Sequence, residues 1–371
     1  MRLRPLLRFF FRVLLSWPWA LVGCVLSIFQ RRRPMEDPVD FVVLWVDSSD
    51  EAWRQKKREW ERKLKPGSEA VSEERFRDWD NFRYWFRAVE KFAPWVRNVY
   101  VVTDGQVPAW ADLSCPKLKI VDHREIMPPE ALPSFNSSAI EMCIHRIPGL
   151  SEHFVYFNDD MFLARPCRKE DFFQGGRPLL CSASAPVHND PTNEQFHHMQ
   201  FSTAGVVRRL DWPSWMWRHP ARWFNIRNGI RLINNVDDFQ RGYISGLYYP
   251  HMAIPFRKSS FERAWQWLGD AITKTVLAHF RTAECLYQQI FAYVDLYRAD
   301  FVPCTIRHFG YFTYDLEPFA PHFSAVLSAH KYICICLNDS FRVNSANFEA
   351  TKAALLAAFE KELPDKSSFE R

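Results

Sequence analysis

Residues 153–160 read His-Phe-Val-Tyr-Phe-Asn-Asp-Asp, and this stretch carries the main evidence for the fold class. Its apolar run is typical of a strand that is covered on both faces, as strands of a parallel sheet are. Residues 41–46, Phe-Val-Val-Leu-Trp-Val, form a second run of this kind and lead directly into Asp47. Two more predicted strands have an acidic end and cover 98–103, before Asp104, and 118–121, before Asp122.

Helical segments separate these strands. A polar helix is predicted over 51–63, and apolar residues recur at helical spacing over 77–92. A short helix over 139–147 precedes the strand at 153–157. Because strands alternate with helices, we predict an α/β fold with a mainly parallel, Rossmann-like central sheet. Ligands of such sheets bind beyond the carboxyl ends of the strands, so the acidic ends mark the predicted site.

The second half of the chain has a less regular pattern. Residues 175–249 are rich in Trp, Pro, His and Arg and show weak periodicity, which predicts an irregular, Trp-rich insertion or subdomain beside the site. A long helix is predicted over 273–296. It would carry Arg281 and Glu284 on one face, because residues three apart lie together on a helix.

Asp159 and Asp160 are the most informative local feature. Adjacent carboxylates at the end of a buried strand repel each other and lose hydration unless a cation or hydrogen-bond donors compensate. Mg²⁺ or Mn²⁺ bound to a diphosphate would compensate, because hard ions take carboxylate and phosphate oxygens. The alternative is a polar turn in which both side chains cap the next segment. Further acidic strand ends, which the fold should gather at one edge, favour the metal site. They are Asp47, Asp104 and Asp339, the last preceded by Asn338 and a strand predicted over 332–337.

Two further side chains are candidates for phosphate chemistry. His251 lies between Pro250 and Pro255, and an imidazole titrates near neutral pH, so it can accept a proton from a sugar hydroxyl. Arg281 can hold a phosphate through two hydrogen bonds, with Glu284 orienting it. The alternatives are a structural histidine and an ordinary helical ion pair. The sequence contains no GxxxxGK(S/T), GxGxxG, GxSxG or HExxH motif, which removes the common NTPase, dinucleotide-binding, serine-hydrolase and zincin classes.

The first 33 residues differ from the rest of the chain. The 371 residues carry a formal net charge of +5, but residues 1–33 hold seven Arg and no acidic residue, so the body is nearly neutral. A neutral body lacks the basic surface of a nucleic-acid-binding protein, and 47% hydrophobic residues exclude a disordered chain. Residues 13–29 contain no charge, and 17 residues are at the lower limit for crossing a bilayer. We expect residues 1–33 to attach the protein to an anionic membrane surface at its cytoplasmic face, either spanning the membrane or lying on it. The alternatives are a buried helix and a signal peptide.

The nine cysteines include no CxxC pair, so a structural zinc site is not expected. An odd number of cysteines in a chain of this size is typical of reduced thiols in the cytosol. Cys334 and Cys336 alternate in an apolar run and are predicted to be core thiols.

Longer motifs follow one another along the chain. They are 41–50 (FVVLWVDSSD), 93–106 (APWVRNVYVVTDGQ), 133–141 (PSFNSSAIE), 154–162 (FVYFNDDMF), 249–251 (YPH), 280–284 (FRTAE) and 336–339 (CLND). In this order they resemble the Stealth family of sugar-1-phosphate transferases. That family includes bacterial capsule polysaccharide polymerases and the animal GlcNAc-1-phosphotransferase of lysosomal targeting. The chain resembles the compact bacterial type.

The resemblance implies a sheet of nucleotide-sugar-transferase type in a catalytic domain over 34–371, preceded by the membrane-associating segment 1–33. It implies transfer of a sugar 1-phosphate from a nucleotide diphosphate sugar, most readily a UDP-sugar, to a hydroxyl of an acceptor glycan in capsule or cell-surface polysaccharide synthesis. The resemblance implies that Asp159, Asp160 and Asp339 bind the metal ion and that Arg281 stabilises negative charge at the attacked phosphorus. It implies that His251 or Asp47 accepts the proton of the acceptor hydroxyl. Phosphate or sugar would be bound by Asn136, Glu284 and Asn338.

Two other functions stay open on the sequence. A metal-dependent glycosyltransferase would also hold its nucleotide sugar through paired Asp at a strand end, but it would transfer the sugar alone. A catalytically inactive, membrane-tethered glycan-binding protein would use the Trp-rich region to stack on sugars. The repeated acidic strand ends argue against the second function.

Overall fold

The computed structural model describes residues 3–63, 77–187, 194–208, 210–248, 251–313, 316–339, 343–344 and 346–371. The strands are β1 (Val39–Leu44), β2 (Val99–Thr103), β3 (Leu118–Asp122), β4 (His153–Phe157), β5 (Met161–Leu163), β6 (Phe173–Gln174), β7 (Arg177–Leu180), β8 (Ile254–Arg257), β9 (Val302–Pro303), β10 (Gly310–Thr313) and β11 (Cys334–Leu337). The helices are α1 (Leu3–Ile28), α2 (Glu51–Glu61), α3 (Phe82–Phe92), α4 (His123–Ile126), α5 (Ser137–Glu141), α6 (Glu194–Val207), α7 (Trp212–Arg218), α8 (Pro220–Trp223), α9 (Leu232–Arg241), α10 (Lys258–Val276), α11 (Gln289–Tyr297), α12 (Leu316–Ser328) and α13 (Phe348–Glu362).

The central sheet has the strand order β3-β2-β1-β4-β8. Its first four strands are parallel, and β8 is antiparallel to β4 at the edge. The prediction of an α/β fold with a mainly parallel sheet is confirmed. The strand order runs outward from β1 in two directions, so a crevice opens beyond the carboxyl ends of β1 and β4, where such sheets bind their ligands.

Each central strand is covered on both faces, as its continuous apolar run predicts. On β1, Phe41 and Val43 belong to one hydrophobic core and Val42 to the other, and all three are fully buried. On β4, Val155 and Phe157 lie in the first core, while Tyr156 lies in the second. The sheet is therefore the middle layer of the domain, and only its strand ends are free to form a site.

Strand β11 does not belong to the parallel sheet. It pairs with β10 in parallel and with β5 in antiparallel orientation, forming a second sheet. The backbone N–H of Leu337 donates to the carbonyl of Asp160 at 2.8 Å, so the end of β11 meets the turn between β4 and β5. Asp339 follows this strand end, so it belongs to the second sheet and not to the parallel sheet in which its strand was predicted.

The described part of the predicted irregular insertion or subdomain over 175–249 contains the helices α6, α7, α8 and α9, so it is more regular than its weak periodicity predicts. Residues 188–193, 209 and 249 of this stretch lie outside the described residues. Weak periodicity hid the helices because several are short, and two of them begin with a proline in the first turn. Trp212 and Trp223 are fully buried and meet edge to face, so these rings form a core.

The predicted helix over 273–296 is wrong, because α10 ends at Val276 and α11 begins at Gln289. The backbone between them bonds to other elements as well as to itself. Phe135 N–H donates to the carbonyl of His279 at 2.8 Å, and Leu286 N–H donates to the Thr275 hydroxyl at 2.8 Å. These bonds replace helical ones and hold residues 277–288 as a loop beside α5.

Candidate functional site

The loop after β1 holds Asp47 at the crevice. The Gln106 side chain accepts from Asp47 N–H at 2.9 Å and donates to the Asp47 carbonyl at 2.9 Å. One carboxylate oxygen of Asp47 accepts from the backbone and hydroxyl of Ser49, at 2.8 and 2.6 Å. Asp50 caps α2 and accepts from Gln106 at 3.0 Å. The β1 loop is therefore fixed by its neighbours rather than by a ligand.

Asp159 lies in the turn between β4 and β5. Its side chain is exposed to solvent, yet protein surrounds it on most sides. This desolvation and the charge of Asp160 raise the pKa of Asp159 to about 7, with Asp78 adding to the effect. Burial likewise raises the pKa of Asp78, to which the charge of Asp47 contributes. These four carboxylates are close enough to act on one another, and a cation would relieve their repulsion.

The two carboxylate oxygens of Asp160 differ, because one accepts a hydrogen bond from the protein and the other does not. Its Oδ2 accepts from the Cys336 thiol at 3.3 Å and lies 3.8 Å from His251 Nε2. Its Oδ1 is buried and has no hydrogen-bond partner among the described residues. A buried carboxylate oxygen without a partner costs free energy, so Asp160 is arranged for something the protein itself does not supply.

His251 lies beside the Asp160 carboxylate, in the segment that precedes β8. Its backbone has φ of +39°, in the left-handed region that side chains rarely adopt. Side-chain ligand atoms of Asp160, His251 and Cys336 all lie within 4.8 Å of one another. Burial and the charges of Asp160 and Asp159 raise the pKa of the Cys336 thiol, so it stays protonated and donates to Asp160. Pro250 lies outside the described residues.

A buried chain of polar groups runs from α5 to the acidic pair. The Tyr156 hydroxyl lies 2.8 Å from Glu141 Oε1 and 2.8 Å from Asn158 Oδ1. Burial raises the pKa of Glu141, while the charge of Arg281, the Tyr156 hydroxyl and the charge of His251 oppose the rise. Glu141 therefore lies between the two predicted site residues that come from the far half of the chain.

Arg281 lies in the loop between α10 and α11, not on a helix. Its guanidinium donates to the Ser137 hydroxyl at the start of α5, and its carbonyl accepts from Gln195 at 2.9 Å. Glu284 is exposed in the same loop. The predicted helical face shared by Arg281 and Glu284 does not exist, because the helix is broken here.

Asn136 is fully buried and bonds within the protein at both ends of its amide. Its Oδ1 accepts from Ser138 N–H at 3.1 Å and caps α5, while its Nδ2 donates to the Ala278 carbonyl at 2.9 Å. It thereby ties α5 to the loop that carries Arg281. The structure makes Asn136 a positioning residue for Arg281.

Asn338 and Asp339 follow the end of β11, where the Leu337 backbone bonds to the Asp160 carbonyl. The Asp339 carboxylate accepts from Trp79 Nε1 at 3.2 Å and lies 3.4 Å from Arg77 Nε. Its side chain is only 8% exposed. Asn338 is half-buried at the same end. Because Asp339 already has a cation, it is the least available of the three predicted metal ligands.

Sequence reasoning missed four residues of this site: Asp78, Glu141, Tyr156 and Cys336. Tyr156 and Cys336 lie in apolar runs and were assigned to the core, where each indeed lies, but each polar atom reaches the strand end. Glu141 closes the motif 133–141, and its burial is visible only when α5 packs on β4. Asp78 precedes α3 by four residues and carries no pattern of its own.

Comparison with known proteins gives two matching family models. Stealth protein CR1, conserved region 1, matches residues 37–65. Stealth protein CR2, conserved region 2, matches residues 75–178. Together they include the carboxyl ends of β1 and β4, the α5 segment and Asp78.

Curated relatives align over nearly all of the chain. The receptor polysaccharide phosphotransferase WefC of Streptococcus gordonii is 36% identical over 341 residues, covering 91% of this chain and 100% of the relative. The exopolysaccharide phosphotransferase cps2G of Lactiplantibacillus plantarum is 40% identical over 341 residues, covering 90% and 96%. The capsular polysaccharide phosphotransferase WcwK of Streptococcus pneumoniae is 33% identical over 338 residues, covering 90% and 99%.

Proposed function

Because the chain belongs to the Stealth family, whose members among its relatives are polysaccharide phosphotransferases, we propose that it transfers a sugar 1-phosphate from a nucleotide diphosphate sugar to an acceptor glycan. The acceptor belongs to a capsular or other cell-surface polysaccharide, and a UDP-sugar is the donor of choice. The observation that carries the proposal is the acidic pair at the end of β4, where Asp160 Oδ1 is buried without a partner among the described residues and Asp160 Oδ2 lies 3.8 Å from His251 Nε2.

Asp159 and Asp160 fit a hard divalent ion, Mg²⁺ or Mn²⁺. The nearby His251 and Cys336 would suit a softer metal, but the Cys336 thiol already donates a hydrogen bond to Asp160. The carboxylates that remain are the ligands such ions prefer. When bound, the ion supplies positive charge to the diphosphate oxygens. Asp339, held by Arg77 and Trp79, supports this site from the end of β11.

The chain's own residues provide the rest of the reaction. The acceptor hydroxyl oxygen forms a bond to the β-phosphorus of the donor, and the bond from that phosphorus to the bridging oxygen breaks. The nucleoside monophosphate leaves, and the hydroxyl proton passes to His251, with Asp47 as the second candidate base. Arg281, oriented by Ser137, stabilises negative charge on the attacked phosphoryl group. Asn338 and Glu284 would contact phosphate or sugar.

A donor labelled at its β-phosphorus tests the proposal. Phosphotransfer moves the label into the glycan and releases unlabelled nucleoside monophosphate. A glycosyltransferase leaves the label in released nucleoside diphosphate, and that result would contradict the proposal. Purified protein that turns over no donor of the UDP, GDP or CDP series in the presence of Mg²⁺ or Mn²⁺ would instead favour a glycan-binding protein.

We place the enzyme at the cytoplasmic face of the membrane. Helix α1 contains a 20-residue stretch, Phe9–Ile28, that is long and apolar enough to cross a bilayer. The nine cysteines are free thiols, which suits a reducing compartment. The nucleotide sugar and the divalent ion are also available on that side. Membrane fractions should hold the full-length chain, and a chain found only in the soluble fraction would contradict this placement.

A further inference from the structure

Helix α1 turns its polar and small side chains inward and its large apolar side chains outward. The inward positions Arg12, Ser16, Ala20, Gly23, Ser27 and Gln30 recur every three or four residues, and the Trp19 ring lies beside Ala20 on the same face. The outward side chains are more than half exposed and include Phe10, Leu14, Trp17, Leu21, Ile28 and Phe29. A surface helix of a protein surrounded by water has the opposite arrangement. The outward face is therefore built for an apolar medium.

The inward face fixes α1 to the body from Arg12 to the end of the helix. Arg12 donates to the Gln240 carbonyl at 3.2 Å, and Gln240 donates to the Ser16 hydroxyl at 2.7 Å. In the middle, the Trp19 indole donates to the Trp217 carbonyl at 2.8 Å, and the two rings stack with centroids 4.4 Å apart. Just beyond its end, Gln30 donates to a carbonyl of α8 at 3.2 Å. These bonds would all break if the helix left the body to cross a membrane.

Gly23 shows how close this packing is. A Cβ atom at Gly23 would lie 2.5 Å from the Pro220 carbonyl oxygen and 2.7 Å from Phe224 Cβ. Neither contact is tolerable, and the first is to backbone. The helix is thus docked at backbone distance on α8, which a helix that is free to reorient would not need.

A second apolar patch continues the outward face. Ile226, Ile230 and Ile233 are 50%, 84% and 52% exposed, at spacings of four and three residues. The backbone N–H of Ile226 donates to the Ser27 hydroxyl at 3.4 Å, so the patch begins beside the last turn of α1. Exposed apolar patches of this extent mark interaction surfaces.

The charges beside this surface select an anionic partner. Residues 1–33 contain no acidic side chain, and Arg31, Arg32 and Arg33 are exposed just after the helix. A polybasic segment next to an apolar helix face matches a bilayer with anionic headgroups.

We propose that the protein docks on an anionic bilayer without crossing it. Helix α1 lies parallel to the membrane plane, with its outward face and the Ile226, Ile230 and Ile233 patch immersed together. A helix that crossed the membrane would carry α9 into the hydrocarbon, including the surface ion pair between Asp237 and Arg241. Burying these charges in lipid would cost more free energy than burying the apolar face of α1 would gain. The charged rim of α9 instead remains in the headgroup layer.

The full-length Ile226→Ser, Ile230→Ser, Ile233→Ser triple variant tests this docking by sedimentation with vesicles of phosphatidylglycerol and phosphatidylcholine. We expect its partition coefficient onto the vesicles to fall by about tenfold or more, because three apolar side chains that would be immersed in lipid are replaced by polar hydroxymethyl groups. The matched control replaces three exposed apolar residues elsewhere, Val107, Leu113 and Leu277, by Ser and should bind as the unmodified chain does. Equal loss in both variants, or in neither, overturns the proposal.

A depth measurement separates lying from crossing. Cysteine placed at Leu14 or at Ile28 and labelled with a fluorophore is quenched by brominated lipids according to its depth, with the unmodified chain labelled in parallel as background. The proposal requires the two labels to lie at similar depth in the same leaflet. A crossing helix would separate them by about 20 Å, because each residue rises 1.5 Å. That separation, or a soluble dimer that ignores vesicles because a second copy covers the face, overturns the proposal.

Discussion

Acidic side chains end the strands on both sides of the central sheet, but the protein treats them differently on the two sides. At the ends of β2 and β3, Asp104 pairs with Lys56 at 2.7 Å, and Asp122 accepts from the Arg124 guanidinium while it caps α4. This capping and pairing lowers the pKa of Asp122, with the Arg124 hydrogen bond as the largest cause. The local chain therefore satisfies these carboxylates.

At the end of β4 the carboxylates face one another instead. Asp159 and Asp160 have each other's charge, a thiol and a histidine as neighbours, and Asp160 Oδ1 has no partner among the described residues. The sequence pattern, an apolar strand followed by Asp, is the same on both sides. The comparison teaches that the pattern locates a strand end, while the presence or absence of a protein cation decides whether it is available to a ligand.

The largest effect is expected from Asp160→Asn. Removing one negative charge should lower activity by roughly 10³-fold, since the carboxylate is proposed to hold the ion that neutralises the diphosphate. The melting temperature should stay the same or rise, because repulsion with Asp159 is relieved. Steady-state kinetics across a Mg²⁺ titration and a thermal melt measure both.

The matched control is Asp104→Asn, which removes the same charge at the end of β2. It should retain activity within a few-fold. If Asp160→Asn keeps normal turnover and metal dependence, or if the Asp104 variant is equally inactive, the two strand ends do not differ as argued.

The second largest effect is expected from His251→Asn. Asparagine accepts the left-handed backbone of this position but provides no base, so kcat should fall by roughly 10²–10⁴-fold while donor affinity stays nearly unchanged. His251→Ala adds backbone strain and should also lower the melting temperature. Calorimetry of nucleotide-sugar binding and single-turnover rates distinguish a loss of the base from a loss of donor binding. If both His251 variants keep their activity but melt at a lower temperature, His251 has a structural role and is not the base.

The layers of the fold could be predicted from the sequence because buried parallel strands have continuous apolar runs. Phe41, Val42 and Val43 must each be apolar when the strand lies between two cores. The acidic strand ends followed from the same pattern. The role of Asp339 at the site stays a prediction, because its strand belongs to another sheet and its carboxylate lies beside Arg77.

Other parts of the site could not be predicted because long-range bonds decide them. The helical periodicity of 273–296 is real, yet Asn136 and Phe135, about 140 residues earlier, bind the carbonyls of Ala278 and His279 and hold a loop there. Glu141 and Tyr156 become a pair only when α5 packs on β4. Nothing in the local sequence records such contacts.

A smaller effect is expected from Ser137→Ala. The Ser137 hydroxyl accepts from the Arg281 guanidinium, and a hydrogen bond to a charged group contributes about 1.5–3 kcal/mol, part of which water can replace. We expect kcat/KM to fall by about tenfold, mainly through kcat, because the guanidinium is needed most in the transition state. Ser138→Ala, one residue further along α5, is the control. Unchanged kinetics in Ser137→Ala would separate Arg281 from the reaction.

The smallest effect is expected at the other strand ends. The ion pair between Lys56 and Asp104 is partly solvent-exposed, with 41% and 12% of the two side chains accessible, so it contributes about 0.5–1 kcal/mol at most. Lys56→Met should lower the free energy of unfolding by that amount, and adding Asp104→Asn should cost little more, because the pair is already broken. A denaturant-based double-mutant cycle measures the coupling, and raising the salt concentration should reduce it. Catalytic activity should be retained throughout the cycle. If Lys56→Met instead removed activity a hundredfold without loss of stability, the β2 end would be part of the site, and the carboxylates on the two sides of the sheet would have to be treated as one cluster.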